Sequence, residues 1–218
     1  MRMVSVGVAD VNTGAYGFRM KETKQRLGRQ EWINAGFRAL TDRGPEGLRV
    51  EPIARELGAT KGSFYWHFKD LPDLQMSMLA YWELAATHRI IARLEALPRG
   101  WPRLDALMHA VNLPHDDQGG AGAEAALRAW GRTFAPAGEA VARVDAQRLA
   151  FLRDCLTDCG VAMQELPALF YAAHLGLEQL SMQTDVDPVK TLTRLVTILR
   201  DLQDPGHRTG GDEPLSPT

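Results

Sequence analysis

The chain has 218 residues, 45% hydrophobic and 24% charged, with two cysteines and a formal net charge of −2. Those proportions describe a globular protein with a sizeable core and exclude a disordered chain, a collagen-like fibre and a disulfide scaffold. No apolar run approaches the roughly 18 residues of a membrane span, and no signal segment opens the chain, so the expectation is a cytoplasmic protein with no membrane partner. The charge is uneven: residues 1–70 balance at +4 and residues 71–218 at −6, which permits a polyanionic partner for the front of the chain.

Residues 1–20 carry three glycines and no sustained periodicity and read as a disordered tail, with Met20 a candidate true start. Leu27, Ile33, Phe37 and Leu40 then keep one apolar face at helical spacing until Gly44-Pro45 stops it. Short elements follow at Val50–Leu57 and Lys61–Phe68. A long one starts after Asp70, with Pro72 in its first turn, and runs towards Ala96; about 26 residues at ~1.5 Å each make a rod of roughly 39 Å, enough to bridge two lobes. Next come a helix after Pro102, a glycine-rich loop at Gln118–Gly122, and helical stretches at Glu124–Thr133, Ala137–Cys159, Gln164–Gln183 and Pro188–Leu202. Asp187 is placed to cap the last of these. Residues 204–218, rich in Pro, Gly and Asp, read as a second disordered tail. The expected fold class is all-α.

The informative stretch is Gly47–Asp70, GLRVEPIARELGATKGSFYWHFKD. Ala54 is small where two helices must approach, Gly58 four residues on can take a left-handed turn, and Phe64 six beyond that can plug the corner with Ile53 and Leu57. This is the skeleton of a helix-turn-helix. Turning Phe64 and Phe68 inward puts Gly62 and Trp66 outward, Ser63 and Tyr65 on the shoulders, and Lys61, His67 and Lys69 at the two ends. Phosphate oxygens accept from hydroxyl, indole, imidazole and ammonium groups, and an exposed glycine lets the backbone approach bases.

The run from about Leu27 to Leu79 resembles the N-terminal DNA-binding domain of the TetR family of bacterial transcriptional regulators. Ile53-Ala54, Leu57-Gly58, Phe64-Tyr65-Trp66-His67-Phe68-Lys69 and Leu74 carry the resemblance. It implies a three-helix helix-turn-helix domain over residues 21–70 and a helical effector-binding and dimerisation domain over residues 71–203. It also implies that Tyr65, His67 and Lys69 anchor the operator backbone while Lys61, Gly62, Ser63 and Trp66 face the major groove. One departure stands at positions 49–50. The family often has Thr or Ser there as a cap; here Arg49 and Val50 replace it, and Arg49 could reach a phosphate itself.

In the body, one apolar stripe includes Phe170, Leu177 and Leu180 and a broader one includes Leu192, Leu195 and Leu199. These stripes complete the monomer's core or, as the resemblance implies, form a four-helix homodimer interface. The middle of the chain is rich in large apolar groups with a few polar ones, and Trp82, His109, Trp130, Phe134, Phe151, Cys155 and His174 are the candidate effector-binding residues. The resemblance implies a repressor released from double-stranded operator DNA by a small molecule. The alternatives are an effector-independent or thiol-responsive DNA-binding dimer using Cys155 and Cys159, or a helical enzyme with an aromatic-lined pocket. No catalytic set, metal spacing or cofactor motif appears in the sequence.

Overall fold

The computed structural model describes residues 27–110 and 122–203. The tails expected at 1–20 and 204–218, and all of the expected glycine-rich loop except Gly122, lie outside those residues. Every described regular element is helical, and none of these helices is long and apolar enough to cross a membrane.

The front of the chain forms α1 (Arg29–Arg43), α2 (Val50–Glu56), α3 (Lys61–Tyr65) and α4 (Leu71–Glu83). α1 opens with Glu31, whose carboxylate accepts from the Gly28 N–H at 2.8 Å. α2 begins after Arg49 with no side-chain cap. It ends where Gly58 takes φ +61°, a conformation that only glycine adopts without strain, so that Ala59 N–H reaches back to the Ala54 carbonyl at 2.8 Å. α3 is capped by Thr60, whose Oγ1 accepts from Ser63 N–H. Asp70 caps α4 in the same manner through Asp73 N–H, with Pro72 in the first turn where no donor is needed.

Phe64 fixes the corner. It is fully buried, edge-on to Trp32 at 5.4 Å and stacked on Phe68 at 5.3 Å, with Ile53 and Ala54 in the same core. α1 crosses α4 at Gly36, where a Cβ would come within 2.6 Å of the Met78 sulfur; the glycine permits that close crossing.

The expected long rod is present but not uniform. α4 runs into a five-residue π turn, Leu84–His88, and then into α5 (Arg89–Glu95). The body adds α6 (Trp101–Ala110), α7 (Ala123–Trp130), α8 (Ala135–Asp158), α9 (Leu166–Ser181) and α10 (Pro188–Gln203). Asp187 caps α10 through Lys190 N–H at 3.0 Å.

Among the described residues two apolar cores result. The first joins α1–α4 to Ala86, Leu127, Trp130, Ala137, Ala140 and Val144, so the head is closed by residues from α7 and the start of α8. The second joins α5, α6, the second half of α8, α9 and α10. The π turn lies between them, where one continuous rod passes from one core to the next.

Truncating Phe64 to Ala should cost about 3–5 kcal/mol in urea unfolding. Trp66, 88% exposed, should tolerate Ala within about 0.5 kcal/mol. Equal losses for the two variants would contradict the inward–outward assignment.

Candidate functional site

Among the described residues, two sites bear on function. The first is the outer side of α3 and the turn after it. Anchoring Phe64 and Phe68 inward leaves Lys61, Gly62, Tyr65, Trp66 and Lys69 exposed, with Ser63 and His67 half-buried. Tyr65 is 54% and Trp66 88% exposed, which no requirement of the core explains. Arg49 is exposed at the start of α2. Lys61 is not an idle cation: its ammonium holds the Glu51 carboxylate at 2.5 Å, which raises the lysine's pKa and lowers the glutamate's. Both partners are more than half exposed, so a phosphate can take the place of the carboxylate.

The second is a cavity of about 100 Å³ at the seam between the two cores. Trp82, Ala86 and Thr87 form its wall along α4 and the π turn, Leu107 and Met108 come from α6, and Phe151, Phe170 and Leu192 from α8, α9 and α10. Its polar side is Glu124, Arg148, Tyr171, His174 and Glu178.

A buried ionic network stands behind that polar side. Arg148 donates to both Glu124 oxygens at 2.8 and 2.9 Å, to the Tyr171 hydroxyl at 3.2 Å, and to the Ala86 carbonyl in the π turn at 3.2 Å. Arg128 donates to Glu124 at 2.7 Å and to both Asp145 oxygens at 3.0 and 2.6 Å, and Tyr171 donates to Asp145 at 2.7 Å. Burial would push the Glu124 carboxyl up, but Arg148 and Arg128 hold it below the usual carboxylate range. Among the described residues Glu178 has no hydrogen-bonded cation, and burial with the nearby Glu124 charge pushes it up against the weaker pull of Arg148 and Arg128. Burial pulls His174 down to about 4, so its ring is neutral at physiological pH, and its Nδ1 is buried without a hydrogen-bond partner.

Residues 33–71 match the model of the bacterial regulatory proteins, tetR family. A stretch of 70 residues is 33% identical to the HTH-type transcriptional regulator AcrR of Shigella flexneri; it spans 31% of this chain and about a third (31%) of that relative's length. The fold is similar to that of a protein described as a TetR-family transcriptional regulator from Rhodococcus sp., at 21% identity and a TM-score of 0.60, covering 79% of this chain and 97% of that one. It is also similar to a transcriptional regulator from Saccharomonospora viridis in complex with choline, at 18% identity and a TM-score of 0.59, over 81% and 95% of the two chains. The family match is confined to residues 33–71, and over the rest of the chain the likeness to solved structures is one of fold.

Within this fold the eight expected DNA-contacting residues all lie on α3, the turn after it, or the start of α2. The expected effector residues divide. Trp82, Phe151 and His174 line the seam cavity. Trp130 and Phe134 instead stack on each other at 4.8 Å as part of the first core, because α7 and α8 close the head there. His109 is exposed, and Cys155 is buried in the second core away from the cavity.

The interface residues divide as well. On α10, Leu192, Val196 and Leu199 face inward at i, i+4 and i+7, and on α9 Phe170 does the same, so Phe170, Leu192 and Leu199 belong to the protomer's own core. Leu177, Leu180, Leu195 and Ile198 line an apolar groove on the outer face of α9 and α10. Burial pushes the Cys155 thiol up to about 12 and Cys159 to about 11, leaving little thiolate for a redox switch at neutral pH. Glu124, Arg148, Tyr171 and Glu178 escaped sequence reading, because charged residues on amphipathic helices ordinarily mark the solvated side.

His174 gives a pH test. Its folded pKa of about 4 lies below its ordinary 6.5, so between those values the unfolded chain takes up a proton that the folded protein refuses, and stability falls as pH drops. Glu178, held high, contributes the opposite slope; Glu124 and Asp145, held low, lose their contribution as pH falls through their lowered values. Urea unfolding of His174→Gln at stepped pH should show a smaller loss between pH 6.5 and 4 than the parent; superimposable profiles would contradict a buried neutral imidazole.

Proposed function

We propose that this protein is a sequence-specific DNA-binding transcriptional regulator, a homodimeric repressor that leaves its operator when a small molecule fills the seam cavity. The observation that carries the reading is the outward cluster on α3. The five-residue helix and the turn after it, anchored by the buried Phe64 and Phe68, present a glycine, an aromatic hydroxyl, an indole and two ammonium groups to solvent. Tyr65, His67 and Lys69 hold backbone phosphates, Arg49 adds one from α2, and Lys61, Gly62, Ser63 and Trp66 meet base edges.

One α3 touches few bases, so two heads related by a two-fold axis read half-sites roughly 34–36 Å apart. The outer groove of α9 and α10 is the surface for the second copy, with Leu177, Leu180 and Leu195 at its centre. Small-molecule control is supported by the cavity's position and by the neighbouring fold bound to choline. A ligand pressing on Ala86 and Thr87 acts on the π turn, the segment where the rod's hydrogen bonding is already irregular. A shift there re-aims α4, which is packed against α1 of the head. Coupling of about 1–3 kcal/mol changes DNA affinity some 5–150-fold, and operator DNA must weaken ligand binding by the same factor.

Tyr65→Ala and Lys69→Ala should weaken binding to all duplexes in fluorescence anisotropy. Each should lower the slope of log affinity against log salt by about 0.9, the share of one phosphate contact. Trp66→Ala and Ser63→Ala should instead alter the sequences recovered from a random-duplex selection. Variants that bind every duplex as the parent does would overturn the reading.

Leu180→Asp with Ile198→Asp, both exposed in the protomer and lining the outer groove, should sediment at half the parent mass with helix content unchanged. A parent that is itself monomeric would remove the dimer.

A further inference from the structure

We propose that the seam cavity takes a compact organic ammonium ion, with its cationic head against Glu178 and His174 and its hydrocarbon against Phe151 and Phe170. The inference rests on the reading of this cavity as the effector site and names the class of effector.

Three charged side chains line the cavity: Glu124, Arg148 and Glu178, a balance of one negative charge. Arg148 is already engaged by Glu124, Tyr171 and the Ala86 carbonyl, and its guanidinium lies 5.9 Å from the Trp82 ring centre and 6.0 Å from that of Tyr171. Behind the lining, Arg128 and Asp145 pair with each other, so the balance does not change. An anionic ligand would meet two carboxylates and a cation that already has its partners.

Glu178 differs from Glu124. Its carboxylate is half-buried and has no hydrogen bond or ion pair among the described residues. One helical turn away on α9 stands His174, its Nδ1 also unpartnered. Polar groups withdrawn from water without partners are costly, and these two lie beside one cavity. An ammonium ion satisfies the carboxylate, and a donor on it can satisfy the imidazole nitrogen. Phe151 and Phe170 supply ring surface that, among the described residues, no protein cation covers. Size narrows the class further: about 100 Å³ is less than the roughly 150 Å³ cavity that holds benzene.

The test is isothermal titration of the intact protein with three ligands on one small skeleton: isobutylammonium, 2-methylpropan-1-ol and 2-methylpropanoate. The ammonium ion should bind about tenfold or more tightly than the alcohol, and the carboxylate weakest of the three. In Glu178→Gln, which keeps the shape of the side chain, the ammonium should fall to within about threefold of the alcohol while the alcohol's own affinity holds. The ranking on the unaltered protein stands as a test by itself should the variant fold poorly. A carboxylate that binds as well as the ammonium overturns the proposal, as does a variant that keeps the preference or no binding of any ligand by ~10 mM. Operator binding, measured in parallel, separates the two readings. Glu178-dependent ammonium binding that leaves DNA affinity unchanged would refute the effector role and keep the ligand class. DNA release by the neutral alcohol with no head-group preference would do the reverse.

Discussion

The structure depends on how one rod serves two apolar cores. Leu74, Met78 and Trp82 of α4 belong to the core that holds the head, and Leu94 of α5 belongs to the core of the body. A straight α-helix keeps a fixed angular relation between its two ends. Here the extra room of a π turn, Leu84–His88, intervenes, and π turns of this kind are frequent at functional sites. The Ala86 carbonyl in that turn is met by Arg148 from α8. The ionic network therefore touches the segment through which the rod passes from one core to the other.

The placement of the cavity follows from the same constraint. Two cores cannot both pack to full density where they meet across an irregular turn, and the space that remains is bounded by Trp82 and Ala86 on one side and Phe151 and Phe170 on the other. A seam of this kind is the part of the molecule where filling a small volume does the most mechanical work, because interdigitated cores on either side do not yield.

Much of this was legible in the sequence, for reasons that differ by region. The head could be read because its constraints are local. The small residue at 54, the left-handed glycine at 58 and the inward Phe at 64 lie within one short stretch, and their spacing decides which neighbours point outward. The later helices were also legible from their apolar periodicity, with Pro72 and Pro188 placing two of the first turns. What periodicity could not supply was the partner of each face. Trp130 and Phe134 look like pocket aromatics until α7 is seen to close the head. Leu192 and Leu195 look alike until one is found inward and the other outward. Glu124, Arg148 and Glu178 read as solvated charge because the sequence does not show that three helices bring them together.

The first core extends past the head's own helices, and this bears on how such proteins could be recombined. Leu127, Trp130 and Val144 complete a surface that α1 to α4 leave open. A chimera that joined α1 to α4 to a foreign helical lobe after residue 83 would expose that surface unless the new lobe brought matching side chains. The separable module is thus not a contiguous stretch of chain: it is the first four helices together with a patch on α7 and α8, and any exchange of lobes has to carry both.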